Sequence, residues 1–333
     1  PLRQNNSFTY EPNFNRLAQV RDARGNDLKY AYDDRGNLTA ITYADATAER
    51  FAYDAHGSVI TSTNRRGGVI TYTYNSAGQL TSKDYATTPG ITDFTYAYDS
   101  AGNLRSATYF DGLLGSQQTI EMEYDPLTDR LTRIQYPGGR FFTFDYDPAG
   151  RRTRRADQDG QVTAYLYDEL GRLDRMTNGL GQLVVDYDYD PAGRLSRKTL
   201  GNGVFTTYEY NAAGQVVSLV NRKADNSVLS SFVYTYDASG RRDSMTTLAG
   251  TETYGHDSLG QLTSVTYPNG RVVNYAYDSA GNRTQVTDNG VATDYAANTL
   301  NQYTSVGDET LLYDLDGNLT FSTINSQPST NTY

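Results

Sequence analysis

His56 and His256 are the only imidazoles in the 333-residue chain. His256 is followed by Asp257 and Ser258, so the three side-chain types of a nucleophilic triad stand together. Consecutive residues of an extended chain point to opposite faces, however, and cannot converge on one bond. His56 occupies a variable turn position. Asp314-Leu315-Asp316-Gly317-Asn318 and Asp157-Gln158-Asp159-Gly160 open with calcium-loop spacing. Both lack the third spaced carboxylate and the terminal glutamate that complete such a loop. Arg151-Arg152-Thr153-Arg154-Arg155 is the densest cationic run, and Arg241-Arg242 repeats its start. Strand alternation splits the run between two faces, which favours a solvated or salt-bridged patch over an anion site. Cysteine is absent, which excludes disulfides, thiolate metal sites and cysteine catalysis. No acid, base, nucleophile or metal set converges. The expectation is therefore no catalytic, cofactor-binding or metal residue, no cofactor, and no enzyme.

Tyrosine is the remaining chemistry: 30 residues, with no tryptophan. Exposed phenol rings could stack on sugars, so the elements that hold them decide their role. Most fall in one phrase: Tyr, Asp, two residues, Gly, polar, Leu. It begins at positions 10, 32, 53, 74, 98, 124, 146, 167, 189, 210, 236, 256, 277, 297 and 313. A period near 21 over the whole chain marks an array of one supersecondary unit. The expectation is a single continuous array over 1–333, without an internal domain boundary. The sequence starts and stops inside the pattern and shows no signal peptide, so a fragment of a longer chain is expected.

In 13 of the fifteen copies another aromatic stands two residues before the phrase, as Tyr72, Phe144, Tyr187 and Tyr234 do. A period of two is a β-strand with both rings on one face. The second position is Asp or Asn in 14 copies and Glu11 in the other. A short carboxylate or amide there accepts the N–H two residues on. Gly fills the fifth position in 12 copies, while Asn15, Asp129 and Asn301 stand at or beside that slot in the rest. Those are the residue types that tolerate positive φ, so Gly102, Gly171 and Gly281 are expected there. A second strand follows, such as Leu38-Thr39-Ala40-Ile41-Thr42-Tyr43, and ends at another turn, such as Gly67-Gly68, Pro137-Gly138-Gly139, Asp159-Gly160, Pro268-Asn269-Gly270 or Asn289-Gly290.

The fold class is thus all-β: about fifteen antiparallel hairpins forming a long curled sheet, with helix below about a tenth. Thirty strands at ~4.8 Å would span about 140 Å, too wide to stay an open twisted sheet. Such a strip must become part of a hollow shell or a tighter spiral. The longer repeats are expected to carry protruding loops at Ser82 to Asp93, Phe110 to Gln118 and Asn221 to Ser231. The pairs Tyr72/Tyr74, Tyr187/Tyr189 and Tyr275/Tyr277 are expected to stack on their counterparts in neighbouring repeats, each hydroxyl reaching a backbone group or water. The net charge of -10 argues against a nucleic-acid partner. No apolar run approaches the ~18 residues of a membrane span.

Tyr-Asp-x-x-Gly-Arg/Asn-Leu at this period resembles the YD-repeat, or Rhs (rearrangement hotspot), family. That family includes bacterial polymorphic toxins, the shell components of tripartite insecticidal toxin complexes, and animal teneurins. Gly36-Asn37-Leu38-Thr39, Gly317-Asn318-Leu319-Thr320 and Asn298-Thr299-Leu300-Asn301-Gln302-Tyr303 look bacterial in style. The resemblance implies a β-strip spiralled into a hollow cocoon around a C-terminal cargo. The family's self-cleaving terminal segment is built around Asp-Pro-x-Gly. Asp147-Pro148-Ala149-Gly150 and Asp190-Pro191-Ala192-Gly193 match it only superficially, since Tyr146 and Tyr189 place both inside ordinary repeats. The functional expectation is a non-enzymatic shell segment of a large secreted or cell-surface bacterial protein. Its partners would be its own C-terminal cargo domain or neighbouring repeats. The alternative is an extracellular adhesion or carbohydrate-binding module that takes cell-surface glycans.

Overall fold

The computed structural model describes residues 5–85 and 94–323, and the short strand Ser329–Thr330. Thirty-one β-strands and a single three-residue 3-10 turn, Pro137–Gly139, make up the regular structure of these residues. The chain is nearly all-β, as the period-two pattern requires.

Strands consecutive in sequence pair antiparallel. Asp27–Tyr32 pairs with Leu38–Thr42, which pairs in turn with Ala48–Tyr53. The same order recurs through Phe205–Tyr210, Val216–Arg222 and Val228–Tyr236. Most phrases close a hairpin with one turn geometry, while those at Tyr10 and Tyr124 use a turn one residue longer, with the N–H of Glu11 and of Asp125 donating to the carbonyls of Arg16 and Arg130. In the copy at Tyr32, the Gly36 N–H donates to the Asp33 carbonyl at 3.0 Å and the Asp33 N–H to the Asn37 carbonyl at 2.9 Å. This is a type I turn followed by a left-handed residue, the three-residue hairpin connection. Gly36 has φ 97°, and Gly102, Gly171 and Gly281 have φ 94°, 80° and 88°. Asn15, Asp129 and Asn301 take φ 52°, 53° and 60° at the corresponding slots.

The registers reveal a second device. Pairing shifts by one residue at the phrase tyrosine in repeat after repeat: Tyr32 opposes Leu38, and Ala31 already opposes Ala40. The same shift occurs at Tyr74, Tyr146, Tyr189 and Tyr277. A bulge beside each phrase turn, and not beside most of the turns between phrases, adds twist to the strand pairs once per repeat.

Two compact units are formed, one by Pro1–Ile91 with Thr253–Tyr333 and the other by Thr92–Glu252. In both, burial is shallow. The buried apolar side chains are few, among them Ala40, Phe144, Val185 and Val273, and no large side chain of the described residues is completely enclosed. Rings and aliphatic side chains on the aromatic face are mostly half-buried, as in Asp27–Tyr32 and Phe94–Tyr98.

The longer repeats differ from expectation. Phe110 to Gln118 is a longer hairpin, not a loop: Phe110 pairs with Gln117 and Asp111 with Ser116. Asn221 to Ser231 likewise extends two strands, with Asn221 opposite Ser230. The inserted residues satisfy their backbone groups by prolonging the ladder, which an unpaired loop would leave to water. Only the tips protrude, and Leu113 at one tip is fully exposed. Ser82–Tyr85 lies in the strand Leu80–Tyr85, and 86–93 falls outside the described residues.

Candidate functional site

The phrase aspartate organises each turn. Asp190 Oδ1 accepts the N–H of Ala192 and of Arg194, both at 2.9 Å. Its Oδ2 accepts from Arg194 Nε at 2.7 Å. Asp147 with Arg151, Asp168 with Arg172 and Asp237 with Arg241 repeat the ion pair at 2.7 Å. Where the sixth residue is Asn, its amide replaces the guanidinium, as Asn37 does on Asp33 and Asn318 on Asp314. Backbone N–H donors, led by that of the sixth residue, hold the Asp147, Asp190 and Asp237 carboxyls below the usual aspartate range. For Asp33 the Asn37 amide leads.

The arginine then reaches into the next repeat. Arg130, Arg151, Arg172 and Arg194 lie over the rings of Tyr146, Tyr167, Tyr189 and Tyr210, at 5.9, 4.7, 4.2 and 4.5 Å from the centroids. Arg16 does the same over Tyr32 at 4.4 Å. Arg130 and Arg194 also donate to the carbonyls of Asp147 and Asn211, the residues that begin the next turns. The guanidinium crosses close to the next phrase glycine. A Cβ on Gly36 would fall 2.2 Å from Arg16 Nη1, and one on Gly171 would fall 3.0 Å from Arg151 Nη1. Glycine at these positions meets two demands: positive φ and room for the neighbour's arginine.

The tyrosine hydroxyl completes the connection. Tyr32, Tyr53, Tyr74, Tyr146, Tyr210 and Tyr277 each donate to a carbonyl fifteen residues upstream, in Leu17, Leu38, Val59, Leu131, Leu195 and Leu262. Of the expected hydroxyl-to-backbone bonds, those of the phrase tyrosines Tyr74, Tyr189 and Tyr277 are present, while the Tyr72 hydroxyl meets the Ser62 hydroxyl at 3.1 Å. The expected ring-on-ring ladder is not present. Among the described residues Tyr72, Tyr74, Tyr187, Tyr189, Tyr275 and Tyr277 enter no ring–ring stack. The ring pairs lie elsewhere, as Tyr136–Phe142 and Tyr295–Tyr303 do. Between Arg130 and Tyr210, guanidinium groups occupy the ring faces where successive rings would stack. The signal for this is Arg at the sixth slot, or at the seventh in the two longer turns, sixteen or seventeen residues before the next tyrosine. One face of these rings is thereby closed to a sugar.

The other candidates are dispersed. The His56 side chain is 89% exposed, 3.9 Å from Asp54. His256 ends a strand opposite Leu262, while Asp257 accepts the turn N–H groups of Leu259 and Gln261. The run at 151–155 is engaged within the sheet: Arg152 over Phe144, Arg155 over Phe142 and Arg154 against Asp145. Asp157 and Asp314 are both turn acceptors. Asp147 and Asp190 of the two Asp-Pro-Ala-Gly segments sit in ordinary turns. Among the described residues no group of three or more His, Cys, Asp or Glu side chains is placed to hold a metal. No helix among them is long and apolar enough to cross a membrane.

A family model of the RHS repeat matches residues 146–183, 189–227 and 256–292, and a model of the teneurin YD-shell matches 4–109. The double-stranded DNA deaminase toxin A of Burkholderia cenocepacia (strain H111) is 28% identical over 167 residues, 48% of this chain and 11% of that protein. The crystal structure of TcdB2-TccC3 superposes over 96% of this chain and 22% of that one, with a TM-score of 0.60 at 16% identity. The Photorhabdus luminescens Tc holotoxin pore superposes over 95% of this chain and 24% of its own, with a TM-score of 0.50 at 16% identity. The chain therefore spans about a tenth of the curated relative and about a quarter of the solved structures it resembles.

Proposed function

We propose that this chain, which matches the RHS repeat at 146–183, 189–227 and 256–292 and the teneurin YD-shell at 4–109, is a run of RHS/YD repeats and forms wall in a protein shell enclosing a polypeptide cargo from its own C-terminal side. The observation that carries the reading is the Asp–Arg–Tyr connection, made between one repeat and the next and not towards a ligand. Its groups are consumed in joining hairpins laterally, which is what a wall one sheet thick needs, since it lacks a second layer to bury its rings. The shallow burial supports the same role. So does the toxin relative, whose name assigns DNA deamination to that protein and whose match here is confined to 167 residues. On this reading the segment performs no catalysis itself, and it acts in a secreted or cell-surface bacterial protein.

The test is protection. A protease-sensitive passenger domain is fused after Tyr333, and its digestion is compared with that of the free passenger. Digestion at least several-fold slower in the fusion supports enclosure; equal rates overturn it.

A further inference from the structure

Within the unit formed by Pro1–Ile91 and Thr253–Tyr333, two stretches far apart in sequence meet. They meet turn to turn. Arg24 Nη1 donates to the Asn298 carbonyl and Nη2 to the Ala297 carbonyl, both at 3.0 Å, while Nε lies 3.5 Å from Asp278. Ser279 Oγ donates to the Ala23 carbonyl at 3.0 Å, and Asn301 Nδ2 to Asp22 at 3.1 Å. Two turns further on, Arg66 pairs with Asp316 at 2.5 Å and Asp314 at 3.1 Å, and Asn64 donates to Asp316 at 2.8 Å.

This seam differs in kind from the joints between consecutive strands. Among the described residues its hydrogen bonds all involve a side chain, and its charges are partly exposed: the Arg66 side chain is 44% accessible. A cavity of about 170 Å³ is left in it, between Val20, Leu28 and Tyr43 on one side and Leu300 on the other. Partly exposed ion pairs contribute little and are screened by salt. A ladder of backbone hydrogen bonds with packed side chains has no such weakness, so local opening should begin where the packing is thinnest.

We propose that the seam is a built-in opening line. Its two stretches part there as intact strips, with Arg24 and Arg66 as the latches and strand pairing preserved on both sides. This does not depend on the presence of cargo, and it would hold whether or not the chain encloses one.

The chain lacks cysteine, so single thiols report on single places. Leu300→Cys puts a thiol in the seam cavity; Ala40→Cys puts one at a buried strand position. Raising salt from 0.1 M to 1 M shortens the screening length from ~10 Å to ~3 Å. Alkylation at position 300 should then accelerate roughly tenfold, with a similar gain on adding Arg24→Met and Arg66→Met, while position 40 is unchanged. The salt series needs neither arginine variant, so it stands if those fail to fold. An oxidised Ala23→Cys/Ser279→Cys pair should abolish the acceleration. A thiol at 300 indifferent to salt, or one that accelerates in step with position 40, overturns the proposal.

Discussion

Arg194 lies 4.5 Å from the centroid of the Tyr210 ring while its Nε holds Asp190 at 2.7 Å. One side chain thus closes its own turn and covers the ring of the next repeat. The two jobs separate by substitution. Arg194→Asn keeps an amide for Asp190, as Asn37 does for Asp33, but cannot reach the ring. It should lower stability by about 1 kcal/mol, the size of a partly exposed cation–π contact. Arg194→Ala loses both and should cost more. Urea unfolding of the two variants checks the order.

Tyr210 donates to Leu195 at 2.8 Å from a half-buried ring. Tyr210→Phe keeps the ring under Arg194 and deletes only that bond. The expected loss is about 1 kcal/mol, read as a lowered urea midpoint at unchanged slope. A neutral result would mean that water replaces the hydroxyl at no cost.

The hairpins, the aromatic face and the left-handed slots are legible in the sequence because each rests on local chemistry: a period of two, an Asx acceptor, a glycine. The arginine that joins one repeat to the next is not. Arg151 and Tyr167 are sixteen residues apart, and only the register across the hairpin shows that they meet. Periodicity favours like on like, and so points Tyr187 towards its counterparts. The bulge beside each phrase turn is hidden for the same reason, since that Tyr189 opposes Leu195 is known only from the pairing. The extended hairpins at Phe110 and Asn221 look like loops in the sequence because the inserted residues break the period without revealing that they pair with each other.

Ala46 stands at φ 67° in a turn whose counterparts elsewhere carry glycine or asparagine at that slot. Ala46→Gly should stabilise the chain by up to ~1 kcal/mol, because a left-handed alanine is strained. Gly214, at φ 82° with open space where a Cβ would point, should show the reverse. Gly214→Ala should cost about 1 kcal/mol and Gly214→Asn less. Equal costs for alanine and asparagine would remove the conformational explanation. Thermal melts of the three variants decide.

Acid should loosen the turns together. Hydrogen bonds from the turn donors hold Asp33, Asp54, Asp99, Asp147, Asp190 and Asp237 below the ordinary value of 3.8. A depressed carboxyl contributes stability that is present above the unfolded value and is lost as pH falls through the folded one. The melting temperature should therefore hold down to about pH 4 and drop below it. Asp190→Asn keeps an acceptor for the N–H groups and should flatten its share of that drop.

Tyr43 offers the alkaline counterpart. Its hydroxyl donates to Glu49 at 2.9 Å, and Arg65 stacks over its ring at 4.4 Å. Arg65 is itself pinned by Asp45 and Thr47, with a side chain only 7% exposed. Burial first, then the bond to Glu49, pushes the phenol from 10.0 up to about 12. The neutral phenol is the form the fold favours, so its contribution is complete below pH 10 and disappears as pH rises through about 12. Phenolate absorbance near 295 nm, taken as the difference between the parent chain and Tyr43→Phe, should show one group titrating close to pH 12. Glu49→Gln removes the negative neighbour and should move that midpoint down towards 10. A difference titration already centred at 10 in the parent would mean that Tyr43 is solvated and that its bond to Glu49 does not hold in solution.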